Sequence, residues 1–92
     1  MNIYHIKQSA NGGYDTWDSA IVVAETEDHA RRISPDGDTW SDEMGCWIMS
    51  DGNKREWCSG WCSSIDSVSV ELIGRARDGL WPGVVLASFN AG

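Results

Sequence analysis

The chain has 92 residues, a formal net charge of −7 and 41% hydrophobic residues, and it contains six tryptophans. This length predicts a single domain over residues 1–92, and the hydrophobic content argues against intrinsic disorder. The negative charge disfavours binding to free DNA, free RNA or an anionic membrane, and the longest apolar runs are far too short to cross a bilayer.

Two strands are predicted in the first quarter of the chain. Residues 2–9 alternate as a strand does, and Tyr4 and Ile6 are expected to lie on its core face. A turn is predicted at residues 10–13, where glycine accepts a positive φ without steric cost. Residues 20–25 form the clearest buried strand, because they include a short β-branched apolar run.

A short helix is predicted after the second strand. Thr26 is a suitable N-cap, and Glu27 and Asp28 follow in the first turn, where the helix dipole favours negative charge. Pro35 and Gly37 are expected to stop the helix after about two turns. A helix this short needs the support of a sheet.

The middle of the chain has no clear hydrophobic period. Residues 36–64 are therefore predicted to form an irregular, tryptophan-rich insert. Within it, residues 47–49 are expected to form a short strand or turn, and residues 57–62 a helical turn. Three tryptophans are expected to fill a small core: Trp57, Trp61 and Trp81.

Two more strands are predicted near the end of the chain. Residues 66–76 alternate apolar and polar side chains, which predicts one solvated face, and residues 83–89 are apolar enough to be covered on both faces. The order strand, strand, helix, insert, strand, strand predicts an α+β fold. One short helix would lie on one face of an antiparallel sheet of about four strands.

The chain contains three cysteines: Cys46, Cys58 and Cys62. Their odd number, with no signal peptide visible at the N-terminus, favours free thiols that pack as small apolar side chains. An alternative is a zinc-stabilised interaction module that takes His5 or His29 as a fourth ligand. The main prediction includes no metal and no other cofactor.

The acidic residues are distributed unevenly. Ten of the fourteen lie between Asp15 and Asp51, where the only basic residues are Arg31 and Arg32. This asymmetry is suited to docking on a basic surface, although a run of charge is often only a solvated face. Trp40, between two aspartates, is the expected aromatic anchor, since it can also receive Arg or Lys by cation–π contact.

The predicted partner-binding residues combine acidic side chains, the two arginines and this tryptophan. They are Glu27, Asp28, Arg31, Arg32, Asp36, Asp38, Trp40, Asp42, Glu43 and Asp51. The carboxylates would imitate phosphates, while Arg31 and Arg32 would reach an RNA or an acidic patch of the partner.

Two blocks of sequence look familiar: residues 11–24 (NGGYDTWDSAIVVA) and residues 83–92 (GVVLASFNAG), with residues 69–76 between them. They resemble a family of small proteins encoded by tailed bacteriophages and prophages. Some small acidic phage proteins of this size and layout are anti-CRISPRs that bind the type I-F surveillance complex. The resemblance implies a phage-encoded protein that acts in the host cytoplasm.

The expected function is inhibition of a host CRISPR–Cas complex. An acidic face of this protein would bind the basic nucleic-acid-binding surface of the complex and block the binding of target DNA. The alternatives are a structural or housekeeping phage protein of unknown partner and the zinc-stabilised module. No enzyme is expected, because there is no Gly-x-Ser-x-Gly turn and neither histidine belongs to a nucleophile–base constellation.

Overall fold

The structure is a computed structural model that describes residues 1–12, 16–55 and 60–90, with side chains to residue 88. In chain order, its elements are β1 (Asn2–Lys7), β2 (Thr16–Ala24), α1 (Glu27–Arg31), β3 (Thr39–Ser41), β4 (Cys46–Ile48), a 3-10 turn (Ile65–Ser67), β5 (Ser69–Arg75) and β6 (Gly83–Asn90). Within these residues, neither helical segment has the length and apolar character needed to cross a membrane.

Four strands form one antiparallel sheet in the order β5-β1-β2-β6. This confirms the predicted antiparallel sheet of about four strands. In the β1–β2 pair, Tyr4 lies opposite Val22 and Ile6 opposite Ala20, and all four side chains are buried. Because side chains alternate across a strand, these residues define the core face of the sheet, as predicted for Tyr4 and Ile6.

The core lies between this face and a second layer. Ala30 of α1 is fully buried against the sheet, and Trp47 and Trp61 pack into the same cluster with Cys62. The indole Nε1 of Trp47 donates a 2.8 Å hydrogen bond to the carbonyl oxygen of Cys62, which fixes the second layer internally. The prediction that Trp61 is a core residue is therefore confirmed.

The predicted N-cap of α1 is also confirmed. The Oγ1 atom of Thr26 accepts a 3.0 Å hydrogen bond from the backbone N–H of His29. The helix has five residues, fewer than expected, because the chain leaves helical geometry at Arg32, before Pro35. Ile33 instead forms an isolated antiparallel bridge with Thr39.

The predicted irregular insert contains regular structure. β3 and β4 form a two-stranded antiparallel sheet in which Trp40 lies opposite Trp47, their ring centroids 5.2 Å apart in an edge-on arrangement. Gly45 has a φ of 65°, which suits the turn that joins these strands. β4 overlaps the short strand or turn expected at residues 47–49, whereas β3 and its pairing with β4 were not predicted, because three-residue strands leave no visible period. Trp57 and residues 57–59 of the predicted helical turn lie outside the described residues.

The last strand differs from its prediction. β6 is an outer strand of the sheet, and Val85 and Leu86 are 63% and 67% exposed, so it is not covered on both faces. Trp81, which was expected in the core, is 86% exposed in the segment before β6. Leu72 of β5, at the opposite edge, is also exposed. In the described ranges, the small second layer does not extend over these side chains.

Candidate protein-binding face

Carboxylates of α1 converge with one from the β3–β4 turn. The Nε atom of Arg32 lies 3.0 Å from Oδ2 of Asp28, one helical turn earlier, and its Nη1 lies 2.7 Å from Oδ2 of Asp42. Arg31 pairs in the same i,i+4 manner with Glu27, at 3.1 Å. Glu43 follows Asp42 in the exposed turn. We call Glu27, Asp28, Asp42 and Glu43 the acidic face.

The acidic face presents its anions outward and its cations inward. The side chains of Glu27, Asp28 and Asp42 are 62%, 68% and 69% exposed, whereas that of Arg32 is only 27% exposed. The Arg32 guanidinium holds the pKa of Asp42 below its ordinary value of 3.8, and Asp42 and Asp28 in turn raise the pKa of Arg32. Asp42 therefore stays ionised at neutral pH.

Arg31, the last residue of α1, and Arg32, its C-cap, are both engaged within the chain. Besides its bond to Glu27, Arg31 donates from Nε to the carbonyl oxygen of Val68 at 3.4 Å. Arg32 spans Asp28 and Asp42. Contact with an RNA, as the sequence suggested, would compete with these bonds for the five N–H donors of each guanidinium.

Asp38 does not belong to an open acidic surface. It is buried, and Arg55 donates to both of its carboxylate oxygens, from Nη2 to Oδ1 at 3.1 Å and from Nε to Oδ2. Its carbonyl oxygen also accepts from the backbone N–H of Ser34. The interpretation of Asp38 as a phosphate mimic is therefore corrected: its carboxylate is used to hold the fold together.

Asp36 and Asp51, two other predicted partner-binding residues, accept hydrogen bonds away from the acidic face. Oδ1 of Asp36 accepts a 2.8 Å bond from Nε1 of Trp17 in β2. Asp51 lies in the turn after β4, at the opposite end of that strand from Asp42, and both of its oxygens accept from Asn53. The backbone N–H of Asn53 lowers the pKa of Asp51. Both residues are exposed, but neither joins the Arg32 cluster.

Trp40 is half-buried against the core rather than freely presented. Its edge-on contact with Trp47 uses part of the ring. The most exposed tryptophan in the described residues is instead Trp81, which sequence reasoning placed in the core. The available signal was its position in a segment punctuated by Gly79 and Pro82, which favours a surface loop.

Two of the three cysteines, Cys46 and Cys62, are among the described residues. Cys46 is half-buried, and Cys62 is buried with its Sγ atom 3.3 Å from the carbonyl oxygen of Ser64. Among residues 1–12, 16–55 and 60–90, no group of three His, Cys, Asp or Glu side chains is arranged to hold a metal ion. Cys58 lies outside these ranges, so the zinc alternative stays a prediction.

The chain was compared with models of protein families, with curated proteins and with solved structures, and no match was found. The resemblance of residues 11–24 and 83–92 to small phage proteins therefore stays a prediction. Evidence for a function therefore comes from the surface of the molecule itself.

Proposed function

We propose that this small α+β protein is a non-enzymatic inhibitor whose acidic face binds a basic protein surface. The observation that carries the proposal is the arrangement around Arg32: the carboxylates of Asp28 and Asp42 are more than two-thirds exposed, and the cation lies inside them. A partner approaching this face meets anions first. A net charge of −7 adds long-range attraction toward a basic surface.

The internal ion pairs do not prevent such binding. Exposed ion pairs contribute little to stability, because water screens them and two side chains must be ordered. Carboxylate oxygens accept several hydrogen bonds, so Asp42 can retain Arg32 while it receives a partner's lysine or arginine. Contact with a partner also excludes water and strengthens the new pairs.

The partner class follows from the chemistry of the face. Basic protein surfaces commonly hold nucleic acid, and a protein that occupies one blocks its nucleic-acid ligand. Because residues 11–24 and 83–92 resemble small phage proteins, a host CRISPR–Cas surveillance complex is the first partner to test. Inhibition would then take place in the host cytoplasm, before target DNA binds.

The test uses a purified type I-F surveillance complex and measures target DNA binding by mobility shift after this protein is added. We expect the protein to prevent DNA binding. The variant with Glu27→Gln, Asp28→Asn, Asp42→Asn and Glu43→Gln should inhibit more than tenfold less well, because each interfacial charge pair lost weakens binding. Rising salt should weaken inhibition by the unmodified protein.

A control variant has the same number of carboxylates neutralised elsewhere on the surface. It carries Asp18→Asn, Asp66→Asn, Glu71→Gln and Asp78→Asn, all at exposed positions outside the acidic face. We expect it to inhibit nearly as well as the unmodified protein. Equal losses in both variants would show that only net charge matters, and unimpaired DNA binding with excess protein would reject the CRISPR–Cas partner.

A further inference from the structure

β6 leaves one edge of the main sheet open. β2 lies on one side of it, and in the described part of the chain no strand lies on the other. An edge strand presents backbone N–H and C=O groups that can pair with another strand. Proteins usually protect such an edge with a charged side chain or a proline, but Gly83–Asn90 contains neither.

The opposite edge is better protected. β5 carries Glu71 and Arg75, both exposed, within its seven residues. The β1–β5 pair has one register irregularity, with the extra residue at Ile73 of β5. The β2–β6 pair has two, at Asp18 of β2 and at Val85 of β6. Each edge strand therefore carries one bulged residue, and bulges do not distinguish the two edges. Charge does distinguish them, because β6 is the edge that can accept a neighbouring strand without opposing or burying a charged side chain.

Apolar side chains are exposed along β6 and just before it. Val84, Val85 and Leu86 are 39%, 63% and 67% exposed, and Trp81, just before the strand, is 86% exposed. At about 150–250 Å² for a whole Trp side chain and roughly 100 Å² for an aliphatic one, this amounts to roughly 300–400 Å². A standard interface buries about 800 Å² per partner. Val84 lies opposite Val22 on the core face and Leu86 opposite Ile21 on the other face, so the summed area is an upper bound on what contact at this edge buries.

We infer that the occupant of this edge is a second copy of the chain, paired antiparallel β6 to β6. In any register within Gly83–Asn90, self-pairing brings no like charges together, which matters for a chain of net charge −7. The main sheet is antiparallel throughout, so the pairing continues its hydrogen-bond pattern around a two-fold axis. The product is one continuous eight-stranded sheet.

This symmetry has a consequence for the acidic face. A two-fold axis perpendicular to the sheet keeps both copies of α1 on the same side of it. If the proposed function holds, the dimer presents two acidic faces in one direction, and a partner with two basic sites would bind it with avidity. The dimer itself does not depend on that function.

The experiment is sedimentation equilibrium of the purified protein over a range of concentrations, at low and high salt. We expect a mass about twice the 10.1 kDa of one chain. High salt should tighten the dimer, because it screens repulsion between two chains of charge −7. Salt weakens docking on a basic surface, so the two proposals fail in distinguishable ways.

A matched pair of variants tests the edge. Leu86→Lys should weaken dimerisation more than tenfold, since it places a like charge from each copy at the β6–β6 contact. Leu72→Lys, at a comparably exposed position on the opposite edge, should leave the dimer unchanged. Circular dichroism checks that both variants fold.

Three outcomes would overturn the inference: a monomer at every concentration, equal effects of both variants, or assemblies that grow without limit through β5–β6 contacts. If Leu86→Lys fails to fold, amide hydrogen exchange on the unmodified protein decides. Slower exchange of β6 amides at high than at low concentration supports the dimer, and exchange independent of concentration rejects it.

Discussion

Asp38 and Asp42 lie four residues apart, and each is hydrogen-bonded to an arginine, yet the two ion pairs have different environments. The Asp38 side chain is 3% exposed and receives two bonds from Arg55, whereas that of Asp42 is 69% exposed and shares Arg32 with Asp28. The comparison shows that burial, rather than residue type, separates a carboxylate that supports the fold from one available to a partner.

The backbone explains the difference. Asp38 is held at the entrance to β3 by the bond between its carbonyl oxygen and the N–H of Ser34, while the N–H of Arg55 donates to the carbonyl oxygen of Trp47 in β4. Both partners are therefore anchored beside the β3–β4 sheet. Asp42 lies beyond the end of β3, in an exposed turn.

The largest loss of stability is expected from Asp38→Ala. Removing this carboxylate leaves the Arg55 guanidinium without its buried partner and should lower the free energy of unfolding by about 2–3 kcal/mol. The expected loss is smaller than that for breaking a fully buried ion pair, because the Arg55 side chain is 28% exposed. The measurement is urea unfolding followed by circular dichroism.

Asp42→Ala is the matched control, and its unfolding midpoint should stay unchanged within error, because its carboxylate is already solvated. Equal losses in the two variants would contradict the distinction between the buried and the exposed pair.

Gly60→Ala tests Asp36, which is exposed yet bonded to Trp17. A Cβ atom at Gly60 would lie 2.8 Å from Cδ1 of Trp17 and 3.0 Å from Oδ2 of Asp36. Relief requires the indole to move, and Trp17 is also held by a 2.6 Å bond from its N–H to the Gly60 carbonyl oxygen. We expect a loss of about 1–3 kcal/mol in thermal or urea unfolding.

Gly12→Ala serves as its control, because no atom lies within 4 Å of a Cβ built there. This change should be neutral or slightly stabilising, since alanine restricts the unfolded chain. A Gly60→Ala protein as stable as Gly12→Ala would show that Asp36 and Trp17 shift freely.

The smallest effect on stability is expected from acid titration of two exposed carboxylates, Asp42 and Asp51. The folded-state pKa of Asp42 is held below 3.8 by Arg32, and that of Asp51 by Asn53. A lowered pKa contributes stability above the unfolded value near 3.8, and that contribution is lost as pH falls through the folded value. Carboxyl NMR titration should therefore place both residues below 3.8.

Arg32→Gln tests whether the two pKa values are lowered by different neighbours. It should return the pKa of Asp42 toward 3.8 and leave that of Asp51, which Asn53 lowers, unchanged. If both pKa values rose together, or neither moved, Arg32 would not be the specific cause at Asp42.

The sequence predicted those features that depend on local pattern. Alternation placed Tyr4 and Ile6 on the core face, and residue type placed Thr26 at the N-cap. Pairing across the chain was not predictable in this way: Asp38 and Arg55 are 17 residues apart, and no local rule relates them. The exposure of Leu86 was missed because apolarity favours burial but does not say whether a second layer covers the strand.

The Arg32 side chain also links α1 to the β3–β4 hairpin, in addition to the backbone bridge between Ile33 and Thr39. Its Nε atom bonds Asp28 in the helix and its Nη1 atom bonds Asp42 in the hairpin. The width of the guanidinium therefore sets the distance between these two surface carboxylates. A rigid spacing recognises the geometry of a partner's cations as well as their charge. Lysine at this position would keep the positive charge but would not hold the two carboxylates at this distance, since an ammonium group lacks the planar fork of donors that arginine has.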